Sequence, residues 1–164
     1  MISEHFNPWQ KKILFVTRVV MGWLFFYAGI TKVLDPTWSA AGYLNNAKTF
    51  PSFYRWLATS SLLPITNFLN KWGLTLIGVC LILGLFVYLA GKLGALMMIL
   101  YYFPVLTFPY IISAHAYIID EHIIYALVLL LLAKLEAGQV YGLYRWCINL
   151  PICQKYPNIR KLLG

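Results

Sequence analysis

Residues able to do chemistry are few in this chain, and most fall at the ends of its apolar runs. Lys32 and Asp35 close the first run, and Asp120, Glu121 and His122 open the last, with His115 a few positions before. Histidine exchanges protons near neutral pH, and a lysine among them would hold an anion. Charged groups inside apolar segments are costly, so each calls for a partner or a task. In the first run Arg18, Gly22, Phe25, Gly29 and Lys32 are spaced 4, 3, 4 and 3, which puts them on one helix face. The last run repeats the spacing with His122, Ala126, Leu129, Ala133 and Glu136. Small residues between polar ends suit close helix packing in lipid. Antiparallel packing of the first and last runs therefore predicts a structural ion pair between Arg18 and Glu136. It also predicts a polar cluster of Lys32, Glu121 and His122 at the opposite end. Plainer readings stand beside these. Arg18 can snorkel to the headgroups, and acids such as Asp120 and Glu121 favour a helix N-terminus.

The elements that must position these residues follow from composition. Of 164 residues, 61% are hydrophobic and 11% charged, with a mean hydropathy of +0.71. Soluble domains carry about 25% charged residues, so the bilayer is the expected solvent. One all-α membrane domain is predicted, a four-transmembrane-helix bundle with spans near 13–34, 72–90, 93–112 and 118–137. Pro104 and Pro109 predict a kink or early end of the third span. The loop 35–71 is too aromatic for a slack linker and reads as short amphipathic helices on the bilayer surface or over the bundle mouth. The tail 138–164 reads as interfacial. A net charge of +8 sits mainly beside the apolar runs, which points to anionic lipid and topology, not nucleic acid. Lys11, Lys12, Lys92, Arg145, Lys155, Arg160 and Lys161 fall on one side. Both termini are thus expected in the cytoplasm of a plasma (inner) membrane, with the long loop outside. The first apolar run lacks a small-residue cleavage site, so a span is expected there, not a removable leader. No metal site is expected, since His115 and His122 lack further ligands at suitable spacing. No phosphate loop or dinucleotide fingerprint calls for a nucleotide. Cys147 and Cys153 form no CxxC pair and should stay reduced in a cytoplasmic tail. Some of the many Tyr and Trp residues could stack on a flat ring such as a quinone.

The stretch Arg18-Val-Val-Met-Gly-Trp-Leu-Phe-Phe-Tyr-Ala-Gly-Ile-Thr-Lys32 resembles the first span of the DoxX/DoxD membrane proteins. The loop Trp38-Ser-Ala-Ala-Gly-Tyr-Leu-Asn-Asn-Ala47 is similar to the DoxD branch. So are Asp120-Glu-His-Ile-Ile-Tyr-Ala126 and Ala137-Gly-Gln-Val-Tyr-Gly-Leu143. The chain departs from the pattern at Tyr144, where the family often has Asp. The resemblance implies a four-helix subunit of a thiosulfate:quinone oxidoreductase, with membrane quinone as co-substrate and a second, smaller subunit. On that reading Lys32 attracts an anion or a reduced quinone oxygen, and His122, supported by Glu121, exchanges protons. Asp35, Trp38 and Tyr43 join Lys32 in substrate binding, while Lys48 and Arg55 draw in an anionic substrate. Two other readings compete: a non-catalytic scaffold or assembly subunit of a membrane redox or stress complex, and a small-solute or proton pathway that would need a homo-oligomer.

Overall fold

The computed structural model describes residues 6–111, 117–149 and 153. His115, Lys155, Arg160 and Lys161 lie outside the described residues. Helix α1, Pro8–Leu34, is 27 residues long. It starts earlier than the apolar run because Asn7 and Gln10 form a reciprocal cap, and Pro8 stands in the first turn, where its fixed φ suits a helix start. Helices α2, Ala41–Asn45, and α3, Pro51–Leu57, follow in the connecting segment.

Helix α4, Leu63–Leu83, begins about a turn after α3 and well before the expected 72. Pro64 pre-forms its first turn, and Asn67 accepts from Ala40 N–H at 2.9 Å. Polar residues that read as loop thus belong to a helix. It ends at Gly84, whose φ of +70° is the left-handed conformation glycine takes at a helix C-terminus. The turn to the next helix is therefore at Gly84–Phe86, not near Ala90–Lys92. Helix α5, Val87–Val105, closes one residue after Pro104. Leu106–Thr107 and Tyr110–Ile111 then pair as a short antiparallel hairpin, β1 and β2, where the sequence suggested continuing helix. Helix α6, Glu121–Lys134, is capped by Asp120. A 3-10 turn, Ala137–Gln139, and helix α7, Tyr144–Cys147, complete the described chain.

Packing corrects the expected pairing of the first and last runs. α1 lies chiefly against α4, and α6 against α5; α1 and α6 meet only lightly. The glycines of the α1 stripe serve the first crossing. A Cβ on Gly22 would come within 2.9 Å of Ile82, and one on Gly78 would strike the Phe26 backbone. Likewise a Cβ on Gly91 would lie 2.9 Å from the Ala133 Cβ. Phe25, Leu81, Val87 and Leu129 are fully buried between the two pairs. Many large apolar side chains stay exposed, among them Val20 and Trp23 of α1 and Leu127 and Leu131 of α6. Apolar surface on this scale fits lipid.

Among the described residues three helices, α1, α4 and α5, are long and apolar enough to cross a membrane. At 14 residues α6 rises only about 21 Å.

Candidate functional site

The segment between α1 and α4 folds against the C-terminal end of α5. Tyr54 donates to the Leu100 carbonyl at 2.9 Å, Tyr43 to that of Tyr101 at 2.5 Å, and Thr49 to that of Leu106 at 2.7 Å. Burial raises the Tyr43 and Tyr54 phenols above their ordinary range, so both remain donors. This cap covers a cavity of about 300 Å³ lined by Lys32, Trp38, Tyr43, Asn70, Tyr101 and His122 among others. A smaller recess of about 140 Å³ shares Lys32, Tyr101 and His122 and runs inward past Phe25 and Met98.

The Lys32 ammonium stands 5.1 Å from the centre of the Trp38 ring and 5.6 Å from that of Tyr101. Among the described residues no carboxylate forms an ion pair with it. Aromatic faces attract a cation yet leave its N–H groups available to an anion. The Tyr101 ring meets His122 edge-on at 6.1 Å, and its hydroxyl donates to the Asn70 side-chain oxygen. His122 Nδ1 lies 2.7 Å from Asp120 Oδ2. A carboxylate accepts only, so the proton of a neutral imidazole sits on Nδ1 and Nε2 keeps its lone pair. Asp120 is held in turn by its cap role, accepting from the His122 and Ile123 amides at 3.0 and 3.3 Å.

Several expected site residues stand elsewhere. The carboxylate on His122 is Asp120, not Glu121, which is exposed and accepts from Tyr125 at 3.4 Å. The reason is local geometry: an N-cap side chain folds back over the first turn, whereas the next residue points outward. Asp35 is exposed and turned onto Thr37, whose hydroxyl and amide donate at 2.7 and 2.9 Å and hold the carboxyl below the usual range. Lys48 and Arg55 are exposed on the cap and do not line the cavity. Conversely, Asn70 and Tyr101 did not stand out in the sequence. Their one signal is polarity: an amide one position before Lys71, and a tyrosine pair before Pro104.

At the other end Arg18 is fully buried but does not pair with Glu136. Its Nη1 donates to the carbonyls of Ala137 at 2.6 Å and Val140 at 3.2 Å, and Nη2 to that of Tyr141 at 3.5 Å. Glu136 accepts instead from Gln139 at 2.6 Å. The positive φ of Glu136 and the 3-10 turn after it direct carbonyls, not the carboxylate, at the guanidinium. Nearby, the Cys147 and Cys153 sulfurs lie 3.2 Å apart, and burial pushes the Cys147 thiol up to about 11. Among the described residues no group of three His, Cys, Asp or Glu side chains is placed to hold a metal ion.

Long apolar helices with lipid-like surfaces, and a cavity beneath an aromatic cap that holds Lys32 and His122, define a multi-pass α-helical membrane protein. The chain belongs to the DoxX family: the DoxX family model matches residues 13–107, from α1 through β1. Neither a curated protein nor a solved structure matches it.

Proposed function

We propose that this chain is the quinone-handling membrane subunit of an oxidoreductase acting on thiosulfate or a similar small sulfur anion, on the DoxD branch of the family. It would cross the membrane four times, with both termini in the cytoplasm. The observation that carries the reading is the cavity where Lys32, two aromatic rings and the His122–Asp120 couple meet. The donors present fit a quinone: Trp38 and Tyr101 offer faces to a flat ring, Lys32 a cation to its oxygen, and His122 Nε2 a site for its proton. When bound, the quinone takes up two electrons and two protons as two thiosulfates are joined into tetrathionate. Lys32 steadies negative charge on the ring oxygen. Asp120 orients the imidazole and stabilises its charged form while a proton passes through it. Lys48 and Arg55, on the exposed cap, add positive potential at the entrance for a dianion. The last-span likeness to the DoxD branch supports the sulfur anion as electron donor, and a second, smaller subunit or another copy of the chain is the expected partner.

Purified protein in nanodiscs, given thiosulfate and a prenylated quinone, should reduce the quinone. His122→Ala should lower turnover by about 10²- to 10⁴-fold, the usual range for a proton-transfer group, and Lys32→Ala by about 10²- to 10³-fold, that for an oxyanion donor. Equal turnover in all three proteins would remove the site. An assay with no quinone bound to the wild-type protein would favour the scaffold reading instead.

A further inference from the structure

A second cavity, of about 440 Å³, opens between α4 and α5 beneath the cap. Its walls are apolar: Leu69, Gly73 and Leu76 on one helix face Leu93, Leu96 and Leu100 on the other. Most of these leucines are exposed, Leu69 by 58% and Leu96 by 54%. The polar side chains that line it are already engaged: Tyr43 and Tyr54 donate to the Tyr101 and Leu100 carbonyls, and the others bond within the wall. Thr66 donates to the Leu57 carbonyl at 3.3 Å, while Asn70 donates to the Thr66 carbonyl at 2.9 Å and accepts from Tyr101. Nothing there calls for a polar ligand.

The groove adjoins the Lys32 cavity. Ala40, Tyr43, Asn70 and Tyr101 line both. A free acyl chain would satisfy the leucines but would leave the adjoining Lys32 cavity unused. One molecule with a polar flat head and a long branched apolar tail fills both. We infer that the α4–α5 groove is a tail-binding subsite for a prenylated quinone whose ring occupies the Lys32 cavity, with the Asn70–Tyr101 pair at the boundary where head joins tail. This inference rests on the quinone reading above. Because the tail comes from lipid, not water, its gain is packing and pre-orientation of the ring, not hydrophobic transfer.

The test uses two photoreactive azidobenzoquinones, one with a long prenyl tail and one with a methyl in its place, on the full chain in phosphatidylcholine nanodiscs. Labelling is expressed per concentration of probe in the membrane. Gly73→Phe and Leu96→Trp fill the groove from opposite walls and leave the ring cavity untouched; the second keeps the test valid should the first fail to insert. The wild type should label about five- to tenfold more with the tailed probe, and either variant should erase that advantage while the tail-less probe labels as before. Equal labelling of wild type by both probes overturns the subsite and leaves the ring site standing, as does a tailed-probe advantage that survives both variants. Failure of both probes to label the wild type overturns the subsite and the quinone reading together.

Discussion

Among the described residues Arg18 is a buried charge without a counter-charge. Its guanidinium sits 5.4 Å from the Phe15 ring centre and in a slot edged by Gly84 and Gly142, where a Cβ would come within 2.5 and 2.8 Å of Nη1. It donates to the carbonyls of Ala137, Val140 and Tyr141, in and just after the 3-10 turn that follows α6, and carbonyl dipoles pointed at it favour a cation there. Arg18→Met should therefore cost about 2–4 kcal/mol of stability, since buried carbonyls lose their donors. Arg18→Lys should recover only part, because an ammonium on one stem does not reproduce a planar fork. Glu136→Gln should change little, within about 0.5 kcal/mol, for Gln139 still finds an acceptor. Unfolding midpoints in detergent measure all three. A Glu136→Gln protein as unstable as Arg18→Met would restore the ion pair that the coordinates replace with carbonyls.

At the scale of elements the chain is two tight helix pairs, and glycine sets the closeness of each. In a free helix Gly→Ala stabilises by about 1 kcal/mol. At Gly78 the sign should reverse, because the new methyl would meet the Phe26 backbone, which cannot rotate away. A loss of about 1–3 kcal/mol is expected from such overpacking. Gly73→Ala on the same helix, whose Cβ would meet only Met97 Sδ at 3.4 Å, should be tolerated. If both variants unfold at the same midpoint, the crossing is looser than the contact implies. These glycines also show what the sequence could tell. Periodicity identified the buried stripe of α1 correctly, with Arg18, Gly22, Phe25 and Gly29 all buried. It could not say which helix the stripe meets, because α4 offers an equally small position at Gly78. The boundaries of α4 and α5 slipped for a related reason: hydropathy begins at Trp72, whereas the helical backbone begins at Leu63 and stops at Leu83. In the site, Lys32, Trp38, Tyr43 and His122 were legible as polar or aromatic residues at one level. Asn70 and Tyr101 depend on the α4–α5 crossing and were not.

The cavity belongs to the whole molecule, since α1 supplies Lys32, α4 Asn70, α5 Tyr101 and α6 His122. This also bears on whether α6 crosses the membrane. Alone it is short, but its two ends are tied to two depths of α1. Its start shares a cavity with Lys32, and the turn after its end is held by Arg18. Lys32 and Arg18 are fourteen residues apart in one helix, a rise of about 21 Å, which equals the length of α6. On the four-crossing topology proposed above, the two helices would run antiparallel through the same layer, with Arg18 and the 3-10 carbonyls near one headgroup region. In a background with Cys80, Cys147 and Cys153 replaced by serine, single cysteines at Ser60 and Tyr117 should react with an impermeant maleimide on intact spheroplasts. Cysteines at Gln10 and Trp146 should react only after the cells are broken. Labelling of Tyr117→Cys and Trp146→Cys from the same side would mean that α6 turns back within the membrane. Lys32 and His122 would then sit on helices that need not share one depth, and the four-crossing topology would fall.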